Sequence, residues 1–244
     1  MNHLKQNAII NAEKIYYNIF RTVFTHNIAL PSDFTVTCHA GSFRTKPNTI
    51  DSIVTAVEWG ADIVEFDVSF RPDGTAVIIH NSSPAQNQGV LLDDALSVVA
   101  KSKKCRINLD IKSTANLPEV DRLVNKHGLF ERVFYTGVFE DWVNAVKTTS
   151  AIPYYLNHNI TETEASDEKS ALEIIEKTKN LGAIGINSQY KFASKEFCKT
   201  AHKNGILVSL WTVNKPSEMK KILETAPDNI TTKKPNILTL IAKG

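Results

Sequence analysis

From about residue 34 onward, short apolar runs alternate with stretches in which apolar side chains recur every three or four positions. The first pattern is that of buried strands and the second that of amphipathic helices. The runs FTVTCH (34–39), DIVEFDV (62–68), RINLDIK (106–112), RVFYT (132–136), IPYYLN (152–157), AIGIN (183–187), ILVSLWTV (206–213) and DNITT (228–232) predict strands. Between them, helices are expected at NTIDSIVTAVEWG with its stop at Gly60, at LLDDALSVVA, and near 117–127, 140–148, 168–180, 194–204 and 216–224, with PNILTLIAK closing the chain. In the 168–180 helix, Glu173 and Lys177 have the spacing of an i,i+4 ion pair. Strict alternation argues for a parallel sheet, and eight units argue for its closure into a (β/α)8 barrel of the TIM type. An open doubly wound sheet is the alternative, but it would not need chemistry at so many strand ends.

Two features lie outside the repeat. Asp73-Gly74 is a turn signal, and TAVII behind it ends on His80, so the second strand is expected to continue into a short hairpin. Ahead of the barrel, Ile9, Ala12, Tyr16, Ile19, Phe20, Val23 and Phe24 have helical spacing over residues 2–30, and Pro31-Ser32-Asp33 breaks it. The expected organisation is an N-terminal helical extension over 1–33 and one barrel over 34–244, with no internal linker.

Composition narrows the class. An apolar fraction of 42% is ample for a core, and a formal charge of +2 gives no field suited to nucleic acid or an anionic membrane. Cys38, Cys105 and Cys198 share no metal-binding spacing, and their odd number fits a reducing compartment; Cys38 reads as a buried strand thiol. There is no leader-like pattern and no apolar run approaching a membrane span, so a cytoplasmic protein without stable membrane insertion is expected.

The candidate chemistry sits at strand ends. Glu65 and Asp67 are two apart in an apolar run, so both side chains project from the same face of a strand. Carboxylates held together in a buried strand repel each other and lose hydration, and a cation bound by oxygen ligands, Mg²⁺ or Ca²⁺, relieves both costs. His39 ends the first strand, Asp110 and Lys112 the third and Trp211 the seventh, while the hairpin returns His80 to the same rim. Taken singly, each has a bland explanation; Lys112 could simply neutralise Asp110. Placed together at the C-terminal ends of barrel strands, they suit phosphoryl chemistry. A divalent ion neutralises phosphate oxygens, two imidazoles exchange protons near neutral pH, and a lysine offsets developing charge.

The motifs also carry a resemblance. HAG (39–41), PNT (47–49), GAD (60–62), EFDV (65–68), DG (73–74), IIHN (78–81), DIK (110–112), WTVN (211–214) and TKKP (232–235) follow one another as in the glycerophosphodiester phosphodiesterase family, which this chain resembles over about residues 34–240. The resemblance implies a barrel enzyme that hydrolyses glycerophosphodiesters to glycerol 3-phosphate and an alcohol with a divalent metal. It further implies Glu65, Asp67 and Asp110 as metal ligands, His39 and His80 as the acid/base pair, Lys112 as a phosphate contact and Trp211 as a pocket wall. The family's chemistry includes a route in which the neighbouring glycerol hydroxyl attacks first and water then opens a cyclic phosphate.

Several positions depart from the family pattern. Ala40 stands where an arginine is usual, which removes a bidentate phosphate donor, and Arg44 or Arg71 is the candidate replacement. Pro47 stands for the glutamate before Asn-Thr, Asn81 and Lys233 stand for aspartates, and Asp110 for a glutamate. The helical insertion that often follows the second histidine is reduced to about ten residues, implying a more open pocket. Tyr154, Tyr155, His158 and Asn159 are candidates for shaping the alcohol pocket. Two other readings stay open: a phospholipase D-like enzyme acting on lysophospholipid or sphingomyelin, and a barrel that binds a phosphodiester without cleaving it.

Overall fold

The computed structural model describes residues 28–242. Ten strands lie in one sheet: β1 (Thr35–Cys38), β2 (Ile63–Phe70), β3 (Ala76–Ile78), β4 (Val90–Leu91), β5 (Arg106–Ile111), β6 (Val133–Val138), β7 (Tyr154–Asn157), β8 (Gly185–Gln189), β9 (Leu207–Trp211) and β10 (Asn229–Thr232). Around the barrel the order is β1, β2, β5, β6, β7, β8, β9, β10. Every neighbouring pair is parallel, and β1 pairs with both β2 and β10 to close the ring. The barrel and its eight units are therefore as expected. β3 and β4 are antiparallel additions outside the ring, with Val68 paired to Ile78.

Helices follow the strands: α1 (Ile50–Trp59), α2 (Leu92–Val99), α3 (Leu117–Lys126), α4 (Val143–Thr149), α5 (Glu162–Ser166), α6 (Glu168–Leu181), α7 (Lys195–Lys203), α8 (Pro216–Leu223) and α9 (Pro235–Ala242). Their apolar faces cover the outside of the barrel. Val64, Phe66 and Val68 of β2 point outward into one cluster with Ile53 and Ala56 of α1 and with Leu92 and Leu96 of α2. Ile186, Val208, Leu210 and Ile230 build the matching cluster on the far side, with Ile174 and Phe197.

Inside the ring the chemistry changes from one side to the other. Ile63, Phe134 and Tyr155 form an apolar plug, the two rings 5.2 Å apart. Beside this plug the lumen is polar: Asn229, the first residue of β10, exchanges hydrogen bonds with Thr37, the register partner of Ile63, and Ser209 donates to it at 3.2 Å. Buried polar groups are tolerated where they satisfy one another. This polar layer is the floor on which the site stands.

The structure departs from the expectations in four places. β2 runs on to Phe70, and Val90–Leu91 is a strand rather than loop. A short helix, α5, precedes α6; Thr161 and Glu164 close a capping box at its start. Lys177 pairs with Glu140 at 2.6 Å rather than with Glu173, because the carboxylate of the neighbouring unit lies within its reach. The helix expected over 2–30 falls outside the described residues except for 28–30, which have no regular structure. Ile28, Leu30 and Phe34 pack against the second apolar cluster. Among the described residues no helix is long and apolar enough to cross a membrane.

Candidate active site

Register determines which side chains meet. β2 and β5 pair so that Glu65 lies beside Asn108 and Asp67 beside Asp110, and β6 sets Thr136 beside Asp110. Alternation sends all of these into the lumen. Ligand oxygens of Glu65, Asp67 and Asp110 consequently lie within 4.8 Å of one another, the first two residues buried and the third half-buried. Opposite ligands of a single Ca²⁺ are about 4.6–5.2 Å apart and those of Mg²⁺ about 4.2 Å. An all-oxygen set of this spread fits a hard divalent cation.

Electrostatics point the same way. Burial, then the charges of Asp67 and Asp110, push the Glu65 carboxyl well above the usual carboxylate range. Lys112, just past β5, reaches Asp67 Oδ1 at 3.0 Å and Asp110 Oδ2 at 2.5 Å. Burial works against its charge, but Asp110 and then Asp67 hold the ammonium above the ordinary lysine value. With all three carboxylates ionised, one ammonium would leave two negative charges uncompensated; this repulsion contributes to raising Glu65, and a divalent ion would relieve it.

The carboxylates are held from behind. The Ala40 backbone N–H donates to Glu65 Oε2 at 2.7 Å. Asn48 donates from Nδ2 to Asp67 Oδ2 at 2.7 Å and accepts from the Asp67 N–H at 3.0 Å. It does so from a left-handed backbone conformation, φ 55°, that asparagine tolerates better than most residues. Thr136 Oγ1 lies 2.7 Å from Asn108 Oδ1 and 3.2 Å from Asp110 Oδ1, and its single proton serves the nearer acceptor.

His39 follows β1 with its side chain 30% exposed. Its Nδ1 lies 2.8 Å from the Ala40 carbonyl, which can only accept, so in the neutral ring Nδ1 carries the proton and Nε2 the lone pair. Burial first, and then the Lys233 charge, hold the imidazole below its ordinary value; the Ala40 hydrogen bond works in the opposite direction. His80 stands exposed after β3. Both histidines line one cavity of about 510 Å³ with the three carboxylates, Lys112 and Trp211. The Trp211 indole N–H is buried and has no hydrogen-bond partner within the described residues.

Other candidates lie elsewhere. Arg44 is exposed and does not line the cavity. Arg71 is engaged away from it, donating to the Gln88 and Gly89 carbonyls at 2.9 Å each. Tyr154 turns outward to the Leu181 carbonyl, and Tyr155 belongs to the plug below the site. His158 bonds Glu164 at 3.0 Å and Asn159 accepts from the Gln189 N–H at 3.2 Å. The cavity wall on that side consists instead of Phe139, Trp142, Asn157 and Asn187. The Cys38 thiol is buried in β1, its pKa pushed well up by burial.

Sequence reasoning missed Asn48 and Gly137 as parts of this arrangement. Asn48 was visible within PNT, but its reach to Asp67 depends on the loop. Gly137 leaves room for Asp110: a Cβ there would come within 2.6 Å of Asp110 Oδ1. The only signal is a glycine directly after an apolar strand run.

A closed barrel whose carboxylates, lysine and histidines meet in one polar pocket at the C-terminal rim has the layout of a barrel phosphodiesterase. The model of the glycerophosphoryl diester phosphodiesterase family matches residues 39–86 and 84–237, and the chain belongs to that family. A glycerophosphodiester phosphodiesterase of Caldanaerobacter subterraneus is 24% identical over 241 residues, 86% of this chain and 98% of the relative. Among solved structures, a glycerophosphodiester phosphodiesterase of Parabacteroides distasonis superposes with a TM-score of 0.68 at 21% identity, covering 86% of this chain and 97% of its own. A phosphodiesterase of Oleispira antarctica, solved with the product sn-glycerol-3-phosphate, gives a TM-score of 0.69 at 18% identity, covering 88% and 98%.

Proposed function

We propose that this chain hydrolyses glycerophosphodiesters to glycerol 3-phosphate and an alcohol, with Glu65, Asp67 and Asp110 holding a divalent metal, Mg²⁺ or Ca²⁺. Membership in the family makes it a phosphoric diester hydrolase. The observation that carries the finer reading is the convergence of three carboxylates, one lysine and two histidines on a single cavity. When bound, the metal neutralises non-bridging phosphate oxygens and polarises phosphorus.

The chain's own groups then divide the work. The Lys112 ammonium has three N–H donors; two face Asp67 and Asp110, and the third is left for a phosphate oxygen. His39 is neutral at pH 7 because its pKa is lowered, so Nε2 can take the proton of the attacking hydroxyl. His80, exposed on the same cavity, gives a proton to the departing alcohol, which leaves a cyclic phosphate. Water then opens that ring, its proton going to His80 while His39 returns its proton to the glycerol oxygen released from phosphorus. Trp211 offers its free indole N–H and an apolar wall. The Oleispira relative's product complex supports the reaction class.

The test is release of glycerol 3-phosphate from glycerophosphocholine, glycerophosphoethanolamine and glycerophosphoglycerol, with EDTA, Mg²⁺ or Ca²⁺. EDTA should abolish turnover and either ion restore it. His39→Ala and His80→Ala should each lower kcat about 10²–10⁴-fold, the range for a lost acid or base, with unaltered thermal unfolding. Wild-type turnover in both variants would overturn the histidine assignment, and full activity in EDTA the metal assignment.

A further inference from the structure

One wall of the cavity differs from the rest. Phe139, just past β6, is 52% exposed although it is a large apolar residue, and it stands edge-on to Trp142 with ring centroids 6.4 Å apart at 88°. Both rings line the cavity that contains the carboxylates. Phe139 and Asn157 also line a second groove of about 470 Å³, so the two spaces adjoin at these residues. The second groove carries Glu140 and Asp141. Lys177 pairs with Glu140 at 2.6 Å, whereas Asp141 makes no ion pair among the described residues.

The rim is therefore polarised. Lys233 follows β10, four strands round the barrel from β6, and its charge is felt by His39 on that side. The β6 side offers aromatic faces and, with Glu140 neutralised by Lys177, the carboxylate of Asp141. Lys112 follows β5, the strand next to β6, and lines the same cavity as Phe139 and Trp142, so a diester whose phosphate met Lys112 would have the β6 corner within reach of one ester arm. A cationic arm is repelled by Lys233 and attracted to the aromatic corner. A compact apolar cation gains most there, because an aromatic face attracts positive charge and its methyl groups shed water at little cost.

We propose that Phe139 and Trp142 form the subsite for the leaving alcohol and select an alcohol bearing a quaternary ammonium group, as in a phosphocholine diester. The inference rests on the hydrolytic reading above and adds the class of alcohol. The same head group occurs in soluble glycerophosphocholine and in lysophosphatidylcholine, so the assay includes both.

The first arm follows choline or glycerol release from glycerophosphocholine, lysophosphatidylcholine and glycerophosphoglycerol. The expected result is a kcat/KM about tenfold higher for glycerophosphocholine than for the uncharged glycerol diester, the scale of one cation–π contact. Phe139→Leu, and independently Trp142→Leu, should bring that ratio close to one. Release from lysophosphatidylcholine with the same dependence on Phe139 identifies a lipid source of the head group; release from glycerophosphocholine alone identifies the soluble one. A preference for glycerophosphoglycerol, or an equal loss on both soluble substrates in Phe139→Leu, overturns the proposal.

The second arm needs no turnover: saturation-transfer NMR of the intact chain with choline and with its uncharged isostere 3,3-dimethylbutanol. Choline should bind, and binding should weaken about tenfold in Phe139→Leu, while the isostere binds less well. Equal binding of both, or no effect of the substitution, overturns the assignment. Choline binding at Phe139 without hydrolysis of any diester would sustain the subsite and defeat the hydrolytic reading, so the two fail separately.

Discussion

Gly137→Ala is the substitution whose effect can be worked most directly from the structure. Gly137 has φ +77°, and a Cβ built there would lie 2.4 Å from the Ile111 carbonyl oxygen and 2.6 Å from Asp110 Oδ1. The left-handed conformation costs an alanine about 1–2 kcal/mol. Reduced freedom of the unfolded chain returns about 0.4–1 kcal/mol of that. The overlap adds about 1–3 kcal/mol, because Ile111 lies in β5 between β2 and β6 and cannot withdraw cheaply. The central expectation is a loss of about 3 kcal/mol, or roughly 6–12 °C in Tm for a domain of this size. The Asp110 carboxylate can yield, and in yielding it leaves the carboxylate cluster, so if Asp110 holds the metal as proposed, metal affinity falls as well.

Gly128→Ala is the control. Its φ is +64°, but nothing lies within 4 Å of the added Cβ, so only the conformational cost applies, about 1 kcal/mol. Urea unfolding with unchanged m, thermal melts in EDTA and calorimetric Ca²⁺ titration would measure all three quantities. If Gly137→Ala were no less stable than Gly128→Ala and bound Ca²⁺ like the wild type, the close approach of Gly137 to Asp110 would be wrong.

Two further outcomes follow from the charges. Lys112→Met leaves the carboxylates without their ammonium; in EDTA it should lose about 2–4 kcal/mol of stability and should recover most of that when Ca²⁺ is added, while kcat falls about 10²–10³-fold, as thermal melts and turnover would show. The acid limb of the kcat/KM profile should lie below the ordinary histidine value, because burial and Lys233 lower the His39 pKa and the base works only unprotonated; Lys233→Gln removes one lowering cause and should move that limb to higher pH, and a limb that stays in place or moves down would exclude His39 as the base.

Much of the fold was legible because a parallel barrel buries its strands on both sides. In β2, IVEFDVSF, Val64, Phe66, Val68 and Phe70 keep an apolar outer face while Glu65 and Asp67 take the lumen face, and all eight residues are buried. Helix ends were legible where a chemical stop was present, as at Gly60. The capped helix at Glu162–Ser166 was not, since it buries none of its own residues and so shows no apolar stripe. The choice of Glu173 for Lys177 failed for a related reason: helical spacing identifies partners within a helix but not a carboxylate across the gap between units.

The site was legible to the extent that it breaks the rules of a core. Acidic residues in an apolar strand, and a histidine ending one, are conspicuous because burial penalises them. Their supporting groups obey ordinary rules and so pass unnoticed: Asn48 looks like a turn residue and Thr136 like a strand residue. What joins the two sets is register. Pairing Asp67 with Asp110 brings Glu65, two residues earlier, beside Asn108, and a slip of β2 by one residue would turn both Glu65 and Asp67 out of the lumen. Register also explains why the tyrosines of β7 were the wrong candidates. Tyr155 faces the lumen, but two residues below the rim, where it completes the plug; Asn157 occupies the height of the cavity and receives the Gly137 N–H at 2.9 Å. Sequence spacing thus identifies which side chains share a face, whereas their depth in the barrel, on which the chemistry depends, is set by neighbours far away in the chain.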